Sequence, residues 1–156
     1  MINIADRSES YNETILDKIK NATGLYFTGG NQLHITALTG GTPLHHLIFE
    51  KFYKGLTIGG ISAGAMMSSS MLLSGLSDLA SGLNPIALTP GIELLDRSII
   101  DTHFSQRGRH GRLLSSVAHN PRVIAMEIDE RTAIVVESDK FEVIGEGVAT
   151  VVSARN

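Results

Sequence analysis

Leu56-Thr57-Ile58-Gly59-Gly60-Ile61-Ser62-Ala63-Gly64-Ala65 decides how this chain is read. The apolar and β-branched residues at 56–58 predict a strand, ended by Gly59-Gly60. Small, helix-tolerant residues from Ala63 to about Ser70 predict the helix that follows. Between them lies G-x-S-x-G, with Ser62 at the apex of a strand-to-helix turn, the context that pattern requires. Gly60 and Gly64 relieve crowding at so sharp a turn. The Ala63 amide stands at a helix N-terminus, where unpaired N–H groups and the helix dipole favour an oxyanion. The plainer alternative is a glycine-rich junction with Ser62 as a helix N-cap.

On the N-terminal side, Asn12 to Asn21 predicts a helix, with Ile15, Leu16 and Ile19 as its apolar stripe. Leu25-Tyr26-Phe27 predicts a short buried strand, broken by Thr28-Gly29-Gly30-Asn31. Thr42-Pro43 opens a second helix with the stripe Leu44, Leu47, Ile48 and Phe52, closed by Gly55. On the C-terminal side, Ser74 to Pro90 reads as a long ordered loop, Ser98 to Thr102 as a strand, and Arg107 to His119 as a helix stopped at Asn120-Pro121. Val123 to Ile128, Thr132 to Val136, Phe141 to Ile144 and Val148 to Val152 are β-branched runs that predict a meander or hairpins. The alternation through about Asn120 predicts an α/β fold, a mainly parallel sheet with helices on both faces and C-terminal β-hairpins. Such sheets carry their sites at the carboxyl ends of the strands.

Composition narrows the function. A chain of 156 residues, 42% apolar and 19% charged, supports one domain with a real core. A net charge of −3 argues against broad nucleic-acid binding. The lack of cysteine excludes a disulfide scaffold, a thiolate zinc site and a cysteine nucleophile, and fits a cytoplasmic setting. No apolar run reaches the roughly 18 residues of a membrane span, and Met1 to Ser10 has neither part of a secretory signal. The expectation is therefore a cytoplasmic protein without nucleic-acid or membrane partners.

Ser62 needs a base, because an isolated serine is a poor nucleophile at neutral pH. Of six histidines, His34, His45, His46 and His119 read as surface or packing residues. His103 follows Ile99-Ile100-Asp101-Thr102 and so falls at the carboxyl end of a predicted strand, on the sheet edge of Ser62. His110, in the next helix, is the weaker choice. A metal grouping of Asp101, His103 and His110 is an alternative, though its spacing matches no strong ligand signature. A third group should orient the imidazole. Between Ser62 and His103 the acids are Asp78, Glu93 and Asp96. Asp78 lies in the long loop, where it either folds over the site or is simply solvated.

Arg107, Arg109 and Arg112 fall within six positions directly after His103. Arginine forks bind carboxylates in a bidentate way. Cations at a helix start oppose the dipole, which favours a ligand-binding role over a solvated helix start.

Five segments together resemble the serine-peptidase family that holds the cyanophycinases and the α-aspartyl dipeptidases. They are Phe27-Thr28-Gly29-Gly30-Asn31-Gln32-Leu33, Gly40-Gly41-Thr42-Pro43-Leu44, Ser62-Ala63-Gly64-Ala65, the stretch from Asp101 to Leu113, and Ile128-Asp129-Glu130-Arg131-Thr132-Ala133. The resemblance implies a class I glutamine amidotransferase-like sandwich. It implies a serine exopeptidase that cuts cyanophycin, an arginine-decorated polyaspartate, into β-Asp-Arg dipeptides through an acyl-enzyme. Ser62 becomes the nucleophile, His103 the base, and the amides of Gly30 and Ala63 the oxyanion hole. Gln32, Asp101, Arg107, Arg109 and Arg112 line the substrate site. No cofactor and a homodimer are implied. Leu76-Ser77-Asp78 occupies the loop where the resemblance places the triad acid, so Asp78 is its counterpart, and Thr102 stands where the family often has glutamine. The chain is expected to be a single domain, 1–156, lacking the family's N-terminal strands. The alternatives are an acidic-peptide hydrolase of the α-aspartyl dipeptidase kind and a non-catalytic relative that binds anions.

Overall fold

Asp6 caps the first helical turn. Its carboxylate accepts from Ser8, and Glu9 reaches back to close a capping box over the 3-10 turn Arg7–Tyr11. Asn12 then caps α1 (Glu13–Lys20) by accepting from the amides of Thr14 and Ile15, and Leu16 and Ile19 are buried on its inner face. In the computed structural model, residues 1–74, 87–103 and 110–154 are described.

β1 (Gly24–Phe27) leads into α2 (Gln32–Thr39) and α3 (Pro43–Tyr53), which carry the chain over to β2 (Thr57–Gly60). β1 and β2 are parallel, with Gly24 opposite Thr57 and Phe27 opposite Gly60. Thr42 caps α3, accepting from the His45 amide, and Pro43 holds the first-turn position. Buried Leu16, Ile19, Leu44, Ile48, Met67, Ile92 and Leu94 form the core here, with Leu25, Phe27 and Ile58 packed against them.

Two features differ from the sequence reading in this half. α2 was not expected; Asn31 caps it by accepting from the Leu33 amide, and the threonine-containing helix has only a weak apolar stripe to betray it. β2 runs through Gly59-Gly60 instead of ending there. A Cβ at Gly60 would lie 2.2 Å from the Gly64 carbonyl oxygen, so the strand keeps glycine where the next helix presses on it.

That helix, α4 (Ala63–Met66), is one turn long and stops short of the expected Ser70. The residues after it are spent on side-chain bonds to the strand at Ser98–Thr102. Ser69 Oγ accepts from the Ile100 amide at 2.8 Å, and Ser70 Oγ accepts from the Ser98 amide at 2.9 Å. β3 (Met71–Ser74) pairs antiparallel with β4 (Ala87–Pro90), so the expected loop over Ser74 to Pro90 both begins and ends in strand.

β5 (Ser98–Thr102) spans the expected strand and is buried along its whole length. After α5 (His110–His119) the chain returns as β6 (Ile124–Ile128), parallel to β5 with Thr102 opposite Ile128. β7 (Thr132–Glu137) and β8 (Lys140–Gly145) form a hairpin, and β9 (Ala149–Ser153) lies antiparallel on β6. Ile99 and Ala125 face Leu113 and Val117 of α5. Ile100, Met126 and Ile128 point the other way, toward Ile134. The expected α/β class holds, with the parallel strands in two pairs among the described residues. α4 and the two serines that follow it, Ser69 and Ser70, bridge them.

Candidate active site

Ser62 closes the turn between β2 and α4 with φ 54° and ψ −121°, a left-handed backbone that costs a non-glycine residue energy. The packing imposes it. A Cβ at Gly64 would lie 2.2 Å from the Phe27 carbonyl oxygen, so α4 starts hard against the end of β1. The Ile61 amide donates to that same oxygen at 3.1 Å. Squeezed between these contacts, the Ser62 side chain stands out of the turn.

His103 leaves the end of β5 with φ 61°. Its amide donates to the Ile128 carbonyl at 3.1 Å, continuing the β5–β6 ladder by one residue. The imidazole Nε2 lies 3.1 Å from Ser62 Oγ. On the far side, Nδ1 lies 3.1 Å from Glu130 Oε1. A carboxylate can only accept, so it fixes the proton on Nδ1 and leaves Nε2 to accept from the serine hydroxyl. The imidazole is 30% exposed and the glutamate 53%, so the relay sits at a solvent-facing edge.

Glu130 is two residues beyond β6, the strand next to that of His103. Its turn is held on three sides. The Asp129 amide donates to the Val148 carbonyl at 3.1 Å, the Gly147 amide donates to Thr132 Oγ1 at 2.9 Å, and Arg131 pairs with Glu146 at 2.9 Å. The sequence reading quoted this segment but sought the acid only between Ser62 and His103. The signal available was the pairing of the two β-branched runs, which sets their carboxyl ends side by side.

The Ala63 amide opens α4, and neither it nor the Gly30 amide has an acceptor among the described residues. The segment before Gly30 touches the serine: a Cβ at Gly29 would start 3.5 Å from Ser62 Cβ. Gly30 itself has φ 141°. Gln32 turns away from solvent and donates from Nε2 to the Leu73 carbonyl at 3.0 Å. Asp101 is fully buried, with Oδ1 accepting from the Thr102 amide at 2.9 Å. Asp78, Arg107 and Arg109 lie outside the described residues, as does the side chain of Arg112. Among the described residues no three His, Asp or Glu side chains gather as a metal site, and no helix is long and apolar enough to cross a membrane.

A hydroxyl, an imidazole and a carboxylate in sequence, each 3.1 Å from the next, are parts of acyl transfer by a serine. The family described as peptidase family S51 matches residues 2–144. The chain belongs to peptidase family S51. The chain is also similar to proteins named cyanophycinase, of which two serve as examples. That of Synechococcus elongatus is 33% identical over 156 residues, covering 98% of this chain and 48% of its own. That of Geminocystis herdmanii is 32% identical over 158 residues, covering 99% of this chain and 58% of its own. The chain thus spans about half the length of the curated relatives it matches. Among solved structures, a peptidase from an acI-B1 Actinobacterium superposes with a TM-score of 0.74 at 25% identity, covering 97% of this chain and 62% of that one.

Proposed function

We propose that this S51 chain is a serine-type exopeptidase acting on cyanophycin, releasing β-Asp-Arg through an acyl-enzyme. The observation that carries the chemistry is the relay Ser62–His103–Glu130, both links 3.1 Å, with the serine held at a strained turn. In this reading His103 Nε2 takes the hydroxyl proton as Ser62 Oγ attacks the scissile carbonyl. The Ala63 and Gly30 amides receive the charge that develops on the carbonyl oxygen. The Nδ1–H bond to Glu130 favours the imidazolium so formed, which then protonates the leaving amine. Water, deprotonated by the same nitrogen, releases the acyl group.

The substrate reading rests on the likeness to proteins named cyanophycinase and on the three arginines that follow His103. Guanidinium forks suit the free α-carboxylates of a β-linked aspartate chain. The test pairs covalent labelling by a fluorophosphonate with chromatography of the products. The wild-type chain is expected to label at Ser62 and to release β-Asp-Arg in preference to cleaving Asp-X dipeptides. Ser62→Ala should lose both signals with its fold intact. Unlabelled, well-folded protein refutes the nucleophile, whereas labelled protein that prefers free Asp-X dipeptides refutes the substrate.

A further inference from the structure

One face of α2, carrying Leu33, Ala37 and Gly40, borders an open groove of about 630 Å³. Across the groove stand Pro90, at the end of β4, and Glu93 beyond it. The groove starts beside the active site. Leu33 follows Gln32, whose side chain donates to the Leu73 carbonyl, and lies three positions after Gly30. From there α2 runs on for about 12 Å.

Glu93 is the one acid lining this groove among the described residues, and its backbone is firmly held. The amides of Gly91, Ile92 and Glu93 donate in turn to the carbonyls of Ser70, Met67 and Ser69, at 3.0, 3.0 and 3.2 Å. Behind them, His45 Nδ1 accepts from the Gly41 amide, which leaves Nε2 to donate to the Ile92 carbonyl, both at 3.1 Å. These bonds keep Glu93 at φ 59°, a left-handed backbone that costs a residue with a Cβ energy. The carboxylate so presented belongs to an exposed residue and has no hydrogen-bond or ion-pair partner among the described residues.

We propose that the groove is a second substrate subsite, in which Glu93 takes the guanidinium of an arginyl group remote from the scissile bond. The proposal rests on the cyanophycin reading above. Each residue of that polymer carries a guanidinium beside its free carboxylate. The arginines after His103 suit the carboxylates, so the opposite charge calls for an acid along the polymer's path. Leu33, Ala37 and Pro90 give the methylene stem an apolar bed while Glu93 receives its charged head. An extended chain advances about 3.3–3.6 Å per residue, so about three or four residues lie along α2. The polymer is then held while its end is cut.

Steady-state kinetics on soluble cyanophycin and on its two-repeat oligomer, which is too short to follow α2, tests the subsite. KM per chain end should be lower for the polymer. Glu93→Gln should raise the polymer KM about fivefold relative to that of the oligomer, with kcat kept, and Glu93→Lys should raise it further. Glu93→Gly relieves the left-handed backbone, so it should melt no lower than wild type and still raise the polymer KM, which a merely structural role would not do. Binding is read without turnover by comparing polymer affinity of Ser62→Ala with that of Ser62→Ala/Glu93→Gln, the second being about fivefold weaker. Cleavage of cyanophycin with a polymer-to-oligomer KM ratio indifferent to Glu93 overturns the subsite and leaves the proposed function standing. A labelled, well-folded chain that neither cleaves nor binds cyanophycin overturns the substrate reading and this subsite with it.

Discussion

Replacing Ser62 by glycine should make the protein inactive, and more stable than the equally inactive alanine variant. Ser62 sits at φ 54° and ψ −121°, a conformation that costs a residue with a Cβ about 1–3 kcal/mol and glycine almost nothing. Glycine also gains more freedom in the unfolded chain, which subtracts about 0.4–1 kcal/mol. Comparison with Ser62→Ala cancels the lost hydroxyl and its bond to His103, because both variants lack them. The alanine variant keeps the strained Cβ and the glycine variant does not. The difference should be about 1 kcal/mol in favour of glycine, which for a chain of this size is about 2–4 °C in Tm. Urea titrations and thermal melts of the two variants side by side are sufficient. If Ser62→Gly is no more stable than Ser62→Ala, the turn is not storing strain, and the account of how β2 and α4 present the hydroxyl fails.

Other expectations follow from the same geometry. Glu130→Gln removes a charge-assisted hydrogen bond worth about 1.5–3 kcal/mol; because the carboxylate is 53% exposed, the low end applies, and kcat should fall about tenfold to thirtyfold with KM nearly unchanged. Gly64→Ala drives a Cβ to 2.2 Å from the Phe27 carbonyl oxygen; turnover should drop about a hundredfold through misplacement of Ser62, even though residue 64 touches no substrate. Thr42→Ala leaves the His45 amide without the buried cap on α3, at about 1–2 kcal/mol by urea denaturation. The hydroxyl and amide of Ser8 hold the Asp6 carboxyl below its ordinary range, so its contribution is present at neutral pH and lost as pH falls through that lowered value. Asp6→Asn should flatten the acid limb of the thermal-stability profile.

The regular elements were legible because they carry one signal each. β5, α1 and α3 showed a buried run or a clear apolar stripe with a cap, and their bounds agree with the structure to within a residue or two. α2 was illegible because Thr36 and Thr39 interrupt its apolar face, and both hydroxyls bond back to helix carbonyls. β4 was hidden in the end of a Ser-, Gly- and Pro-rich stretch and β3 fell between that stretch and the helix expected before it, since an antiparallel pair joined across a long connection leaves no local mark of its register. Ser62 and His103 could be found because each follows directly on a strand. Glu130 follows one too, but searching between nucleophile and base assumes that chain order mirrors spatial order. The parallel pairing of β5 with β6 breaks that assumption by setting Thr102 beside Ile128.

The relay is therefore assembled from the ends of three strands, β2, β5 and β6, and no short segment holds two of its members. β5 and β6 are hydrogen bonded, which fixes His103 relative to Glu130 through the backbone. β2 belongs to the other parallel pair, so nothing of that kind fixes Ser62 relative to His103. That distance is set by α4, wedged against Phe27 through Gly64 and tied to β5 through Ser69 and Ser70. The 3.1 Å link between hydroxyl and imidazole thus depends on packing contacts that carry no chemistry. Removing the Ser69 hydroxyl, which is fully buried, should loosen the serine from the base while leaving the bond between His103 and Glu130 in place. The imidazole would keep its tautomer while the hydroxyl proton it accepts moves out of reach, so kcat should fall with Ser62, His103 and Glu130 all unchanged.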